Sequence, residues 1–476
     1  MSFEFSKSPT LEKLGADHKH FNYEKMKWNK WQTPRNLLLA LIGELGELAT
    51  DGLAYKEFKA TNDAESESDE RKASVEQEAE MSVEQVLAEL SDVFSYLICL
   101  SNECWVDLAD LASNRKEYPD LSKCFKFSST DWNEIEVSAF YKVDIPTDTD
   151  LPTDILKLCF CVSSLSDIWQ WKDIGKKLDN LNDAKRNKAD GIIKNVFCNI
   201  VALASKYSFD LPKLLREKNV SVAEKYADCI GKLSKDDVIN KRYGDLIPFF
   251  QTDISQNNIK YSLDTPVSSE NNSVSLLSSL IESIGLISEV FQWDTDGEIE
   301  TIFTAAKNAH ISHQIAKIVH HLMVISQKND VTLSKAFSSK MMKNSVKYPV
   351  DICKGLSKKY DELAISANKD ESAENLSVGI IETIDTVDDA AEAMRVFASE
   401  RDWGQFHTPR NLTFALFGEI GELIEVFNKP VSQNFHSSLS DELADCLAFS
   451  VRLAQVCGID LSAALQHYFS SSCTGN

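Results

Sequence analysis

Two apolar runs, "PRNLLLALIGELGEL" from Pro34 and "PRNLTFALFGEIGEL" from Pro409, repeat one phrase, and each sets two glutamates into what would otherwise be a plain core helix. Residues three apart share a helix face, so Glu44 and Glu47 project together, as do Glu419 and Glu422. Further along, "ELSD" and "ELAD" place Glu89 with Asp92 and Glu442 with Asp445 at the same spacing. If the helices of each pair pack antiparallel, four carboxylates meet across one groove. Such anions repel and cannot all stay ionised unless a cation sits among them. All-oxygen ligation without His or Cys suits Mg²⁺, with Mn²⁺ as a substitute. A metal held at incomplete protein coordination could also take phosphate oxygens and a water. All eight acids are therefore candidate metal ligands and catalytic residues. The alternative, acids lining a solvated helix face, is the usual fate of an isolated E-x-x-E; duplication within apolar sequence argues against it. A di-iron centre needs Glu-x-x-His, and none of the nine histidines has a Glu three positions before it.

Apolar residues recur at three- and four-residue spacing nearly throughout, as in "LAELSDVFSYLICLSNECW", which predicts an all-α chain. Length suggests about three domains, but an internal repeat changes that count. Four helices end in "WVDL", "SFDL", "DVTL" and "GIDL", and fifteen residues before Asp107, Asp210, Thr332 and Asp460 stand Asp92, Asn195, Lys317 and Asp445. Trp171 and Trp293 each lie 39 residues before Asp210 and Thr332. The expectation is four tandem helical units, 1–125, 126–235, 236–365 and 366–476.

A net charge of -23 argues against nucleic acid polymers as partners. The start "MSFEFSKSPTLEKLG" lacks an apolar h-region and no run of about 18 uninterrupted apolar residues follows, so no membrane association and a cytoplasmic or nuclear location are expected. Eleven cysteines, scattered singly through apolar helical sequence, read as reduced core thiols. The segment "HISHQIAKIVHH" puts His313 and His320 on one face, but no acid or Cys at ligand spacing completes a transition-metal site.

The order E-x-x-E then E-x-x-D resembles the all-α nucleoside triphosphate pyrophosphatase (MazG-like) superfamily. "ERDWGQFHTPRNLTFALFGEIGELIEVF" and "PRNLLLALIGELGELA" with "AELSDVFSYL" are similar to the eukaryotic dCTP pyrophosphatases within it, as are "WQWK", "FQWDTDGE" and "LSKAFSSKMMKNSVKYP" in the two middle units. The resemblance implies four MazG-like helical bundles in one chain, a single-chain pseudo-tetramer standing in for the family's homotetramer, monomeric or dimeric in solution. It implies Mg²⁺-dependent hydrolysis of a deoxynucleoside triphosphate, dCTP or a modified dCTP, to the monophosphate and pyrophosphate, for sanitation of the nucleotide pool. Glu44, Glu47, Glu89, Asp92, Glu419, Glu422, Glu442 and Asp445 would hold the metal. Trp28, Trp403, Trp171 and Trp293 match base-sandwiching aromatics and His18 matches a helical His. Lys340, Asn344 and Tyr348, with Lys218 and Tyr226, match a cationic tail that steadies phosphates.

The middle units depart from the pattern. Cys161, Ser164, Ile192 and Asn195 replace the acids in one, and Ser283, Leu286, Gln314 and Lys317 in the other, leaving Asp167 and Glu289 as lone acids. The outer units have Ala54 and Lys429 in place of the second tryptophan, and Met394 stands for the His in the last. Outer units would supply metal and chemistry, and inner units base and phosphate contacts. The competing expectation is a non-catalytic nucleotide-binding or scaffold protein derived from the same family.

Overall fold

A computed structural model describes residues 32–62, 69–108, 149–170, 183–207, 261–267, 271–292, 305–356 and 384–473, with single positions such as Lys218 between them. Every named element among them is helical, as the periodicity predicts, and the one extended pairing is an isolated antiparallel bridge between Ser262 and Thr386. The chain divides into two compact units. One comprises Met1–Ile168, Gly175–Lys235 and Leu277–Thr295; the other comprises Trp169–Ile174, Asp236–Leu276 and Asp296–Asn476.

In the first unit, α1 (Pro34–Asn62) packs along α2 (Asp69–Glu103). Helices of 29 and 35 residues joined by residues 63–68 must run antiparallel, because six residues reach only about 20 Å. Pro34 supplies no N–H where a helix needs none, and Thr33 Oγ1 accepts from Asn36 N at 3.2 Å, capping the first turn. Leu37, Leu38, Leu41, Leu45 and Leu48 are fully buried, each contributing about 1.5–3 kcal/mol. α3 (Leu151–Ser163) and the short α4 (Ser166–Trp169, within this unit to Ile168) follow, then α5 (Asp183–Lys206). α3 packs on α1 and α5, and α5 reaches α2 through Phe94 and Phe197, ring centroids 5.7 Å apart.

The last helix of this unit, α6 (Ser273–Phe291, within it from Leu277), crosses α1 at two glycines. A Cβ on Gly285 would lie 3.0 Å from Gly46 Cα and 3.0 Å from Ile42 O, so the backbones touch. α6 is long and apolar enough to cross a membrane, but 67% of its most apolar window is buried within the protein, so its apolar face is spent on packing.

The second unit follows the same logic. α7 (Ala305–Lys328), α8 (Leu333–Lys347) and α9 (Val350–Cys353) precede α10 (Val387–Glu400), α11 (Pro409–Asn428), α12 (Phe435–Val456) and α13 (Leu461–Cys473). Thr408 Oγ1 caps α11 by accepting from Asn411 N at 3.2 Å, as Thr33 does in α1. Thr386 and Asp389 close a capping box on α10. α8 lies against α12, and α13 lies against α7, an exchange of short helices between two long ones.

Four helix ends share one closure: Val106 N donates to Ser101 O, Phe209 N to Ala204 O, Val331 N to Ser326 O and Ile459 N to Ala454 O, at 2.7–2.9 Å. Each donor stands one residue before the recurrent Asp107, Asp210, Thr332 or Asp460. Trp105, Asp330 and Gly458 take positive φ at the same point of this turn. The eight described cysteines are free, and all but half-buried Cys161 are buried, consistent with core thiols.

The glycines separate by environment. Gly285→Ala pushes a methyl into backbone and should cost about 1–3 kcal/mol. Gly191, inside α5 with nothing within 4 Å of an added Cβ, should gain about 0.5–1 kcal/mol as Gly191→Ala. Thermal melts of both variants check the contrast; equal effects would contradict the crossing.

Candidate functional site

The α1–α2 pairing brings Glu44, Glu47 and Glu89 together, each offering an oxygen within 4.8 Å of the others. In the second unit α11 and α12 gather Glu419, Glu422 and Glu442 in the same way. Glu422 is exposed and the other five are half-buried. The fourth acid of each set is engaged differently. Asp92 Oδ2 is ion-paired with Lys218, and Asp445 Oδ2 with Lys340. Lys340 sits on α8, and its neighbour Lys343 holds Asp441 Oδ1 at 2.6 Å.

Crowding shows in the protonation of these groups. Burial, then the charges of Asp92, Glu47, Glu89 and Glu289, push Glu44 up to about 9. Burial, then Glu47 and Asp92, raise Glu89 to about 8. Glu442 rises to about 7 through burial and the charges of Glu422 and Asp445, while Lys340 opposes the rise. Burial also leads the upward shift of Glu419, followed by Asp445 and Glu422. The lysines feel the reverse: burial pulls their amines down, but Asp92 for Lys218 and Asp445 for Lys340 outweigh it and leave both raised. Glu89 Oε2 and Glu442 Oε2 are buried without a hydrogen-bond partner. Clustered oxygens, raised pKa values and an orphaned oxygen in each trio fit a hard divalent cation.

Glu289, a lone acid in the sequence, lies against the first trio: its Cγ would be 3.0 Å from a Cβ on Gly43, and it adds to the charge on Glu44. The Gly46–Gly285 crossing puts it there, so no local sequence signal could have found it.

Where Asn195 and Cys161 replace acids, Asn195 Nδ2 and Asn199 Nδ2 approach Cys161 Sγ at 3.6 and 3.5 Å, a neutral cluster. Ser283 is buried and donates to Ser279 O at 2.9 Å, and Gln314 is buried.

Among the expected base and phosphate contacts, His18, Trp28, Trp171, Trp293 and Tyr226 lie outside the described residues. Trp403 is half-buried; its Nε1 donates to Leu356 O at 3.1 Å and Cys353 O at 3.3 Å, fixing the indole plane. Tyr348 meets it edge-on, with centroids 5.4 Å apart, and Phe397 and His407 complete the surround at 5.6 and 5.9 Å. Half-buried Asn344 accepts from Tyr348 N through its carbonyl at 2.8 Å. The structure thus brings Trp403 and Tyr348 together, and Lys340 to Asp445. It also shows a pair the sequence reading passed over: Arg452 Nε donates to buried His407 Nδ1 at 3.0 Å, and burial, then Arg452, hold this His down at about 3. His313 and His320 pack on Tyr468, at 5.5 and 5.2 Å, as parts of an aromatic cluster.

Among known proteins, the chain is 43% identical over 89 residues to dCTP pyrophosphatase 1 of Homo sapiens, covering 17% of this chain and 52% of that protein. It is 44% identical over 89 residues to dCTP pyrophosphatase 1 of Bos taurus, covering 17% and 53%. The chain carries a dCTP pyrophosphatase-like region. It spans about half the length of the curated relatives it matches. No family model matches, and no solved structure matches.

Groups whose folded pKa exceeds the unfolded value give stability that is present below about 4.5 and lost as pH rises through the folded value, here between about 4.5 and 9 for Glu44. Replacing this carboxyl by an amide that folds without taking up a proton, Glu44→Gln, should therefore stabilise the metal-free protein by on the order of 2 kcal/mol at pH 8, after allowance for solvent screening, and by little at pH 5. Melts of both proteins in chelator across that range test this; a gain independent of pH would contradict it.

Proposed function

We propose that the chain is an Mg²⁺-dependent nucleoside triphosphate pyrophosphatase of four MazG-like units, with two sites built on the outer units and completed by the inner ones. The observation that carries this reading is the duplicated glutamate trio, each with a fourth acid held by a lysine distant in sequence. The four identical helix closures support the count of units, and the 89-residue likeness to dCTP pyrophosphatase 1 supports the substrate class. The single-chain pseudo-tetramer, monomeric or dimeric, the cytoplasmic or nuclear location and the role in nucleotide-pool sanitation belong to the same proposal.

In this reading a water attacks the α-phosphorus, the bond to the bridging oxygen of the β-phosphate breaks, and monophosphate and pyrophosphate leave. Glu44, Glu47 and Glu89 with Asp92, and Glu419, Glu422 and Glu442 with Asp445, would hold Mg²⁺ or Mn²⁺. The ion would supply charge neutralisation of the phosphates and a lowered pKa for bound water. Glu89 Oε2 and Glu442 Oε2, lacking partners, would take the proton that water gives up. Lys218 and Lys340 would balance triphosphate charge. The fixed indole of Trp403 would offer a stacking surface of about 1–3 kcal/mol with little base preference. The neutral Cys161–Asn195–Asn199 cluster favours a supporting role for the 126–235 segment, and extending that role to the whole chain gives the competing scaffold reading.

Pyrophosphate release from dCTP, 5-methyl-dCTP, dUTP and dATP, with and without Mg²⁺, separates the two. Hydrolysis is expected only with Mg²⁺; Glu89→Gln or Glu442→Gln alone should leave about half the turnover and the double variant less than about 0.1%. Turnover of no nucleotide would favour the scaffold.

A further inference from the structure

Lys218 and Lys340 occupy one register, eight residues after Asp210 and Thr332. The matching positions after Asp107 and Asp460 are Arg115 and Tyr468. Each lysine thus belongs to an expected repeat segment, 126–235 or 236–365, whose own acids are gone, and each reaches an aspartate 126 or 105 residues away in sequence on a segment that kept them. Both pairs are well shielded, with side-chain exposures of 31% and 16% for Lys218 and Asp92 and 19% and 15% for Lys340 and Asp445. In both sites the oxygens gathered within 4.8 Å come from the three glutamates. The aspartate is the acid that meets the amine.

We propose that Lys218 and Lys340 are exchangeable counter-ions: without metal each amine holds the aspartate of another unit's carboxylate site, and it leaves that aspartate when a divalent cation takes it. The inference rests on the metal-dependent reading above and adds an order of events to it. A shielded ion pair repays its own desolvation only marginally, whereas a doubly charged ion gains about twice the attraction of an amine at the same distance. The flexible four-carbon stem lets the ammonium swing aside without moving its helix. On α8 the outer pair Lys343–Asp441 keeps that helix on α12 while Lys340 moves. The freed ammonium then stands at the rim of the site, where an anionic substrate would arrive, so metal loading itself prepares the phosphate contact.

The test is amine labelling of the full chain with trace acetic anhydride, read by mass spectrometry in chelator and in saturating Mg²⁺, with Mg²⁺ binding followed in parallel by calorimetry. Lys218 and Lys340 should label about five- to tenfold faster with Mg²⁺, the change expected when a charged partner is lost. Lys157, held by Asp154 Oδ1 at 3.2 Å away from both sites, should not change. Heat of Mg²⁺ binding with both lysines still protected would overturn the exchange alone, and absence of any binding would overturn the metal-dependent reading with it. Lys340→Met provides a second readout: Mg²⁺ affinity at one of the two sites should tighten by about tenfold, and an unchanged affinity at both would contradict the competition.

Discussion

Everything in the two sites depends on the repulsion among carboxylates held on paired helices. Glu44 and Glu419 are set among buried apolar residues of α1 and α11, so neither can turn its charge fully to water. Burial pushes Glu44 to about 9 and Glu89 to about 8, values at which a carboxyl keeps its proton at neutral pH. Without a cation this is a net cost, and the fold meets it in two ways: protonation of the glutamates, and an ammonium set against each aspartate. Both are responses a divalent ion would replace.

The surrounding architecture keeps that crowding in place. Threonine caps and prolines start α1 and α11 at the same residue of the phrase, so the two acids leave each helix at the same turn. The glycine crossing of α1 and α6 adds Glu289 to one site, whereas the Lys343–Asp441 pair lies beside the other. The two sites are therefore alike in their trios and unlike in the charge around them.

Much of this was legible in the sequence, and the physical reason is locality. Helices, their capped starts and the spacing of Glu44 with Glu47 follow from patterns within a single turn, and the recurrent ends "WVDL", "SFDL", "DVTL" and "GIDL" share one backbone closure. The partners of Lys218 and Lys340 were not legible, because the separation of 126 residues to Asp92 and 105 to Asp445 leaves no periodic trace. Those lysines read as phosphate contacts, and the structure seats them on the fourth acids. Glu289 read as a leftover acid because its role depends on a backbone crossing that two glycines permit and no pattern announces. The burial of His407 against Arg452 was hidden for a similar reason: the guanidinium comes from α12, 45 residues on.

The central claim is that each glutamate trio is a cation cage. Crystals of the chain grown in Mn²⁺ and measured at the manganese edge test it most directly. The account predicts anomalous peaks among Glu44, Glu47 and Glu89 and among Glu419, Glu422 and Glu442, with none at Cys161 and Asn195. Well-ordered glutamates with no anomalous signal in either trio would contradict it.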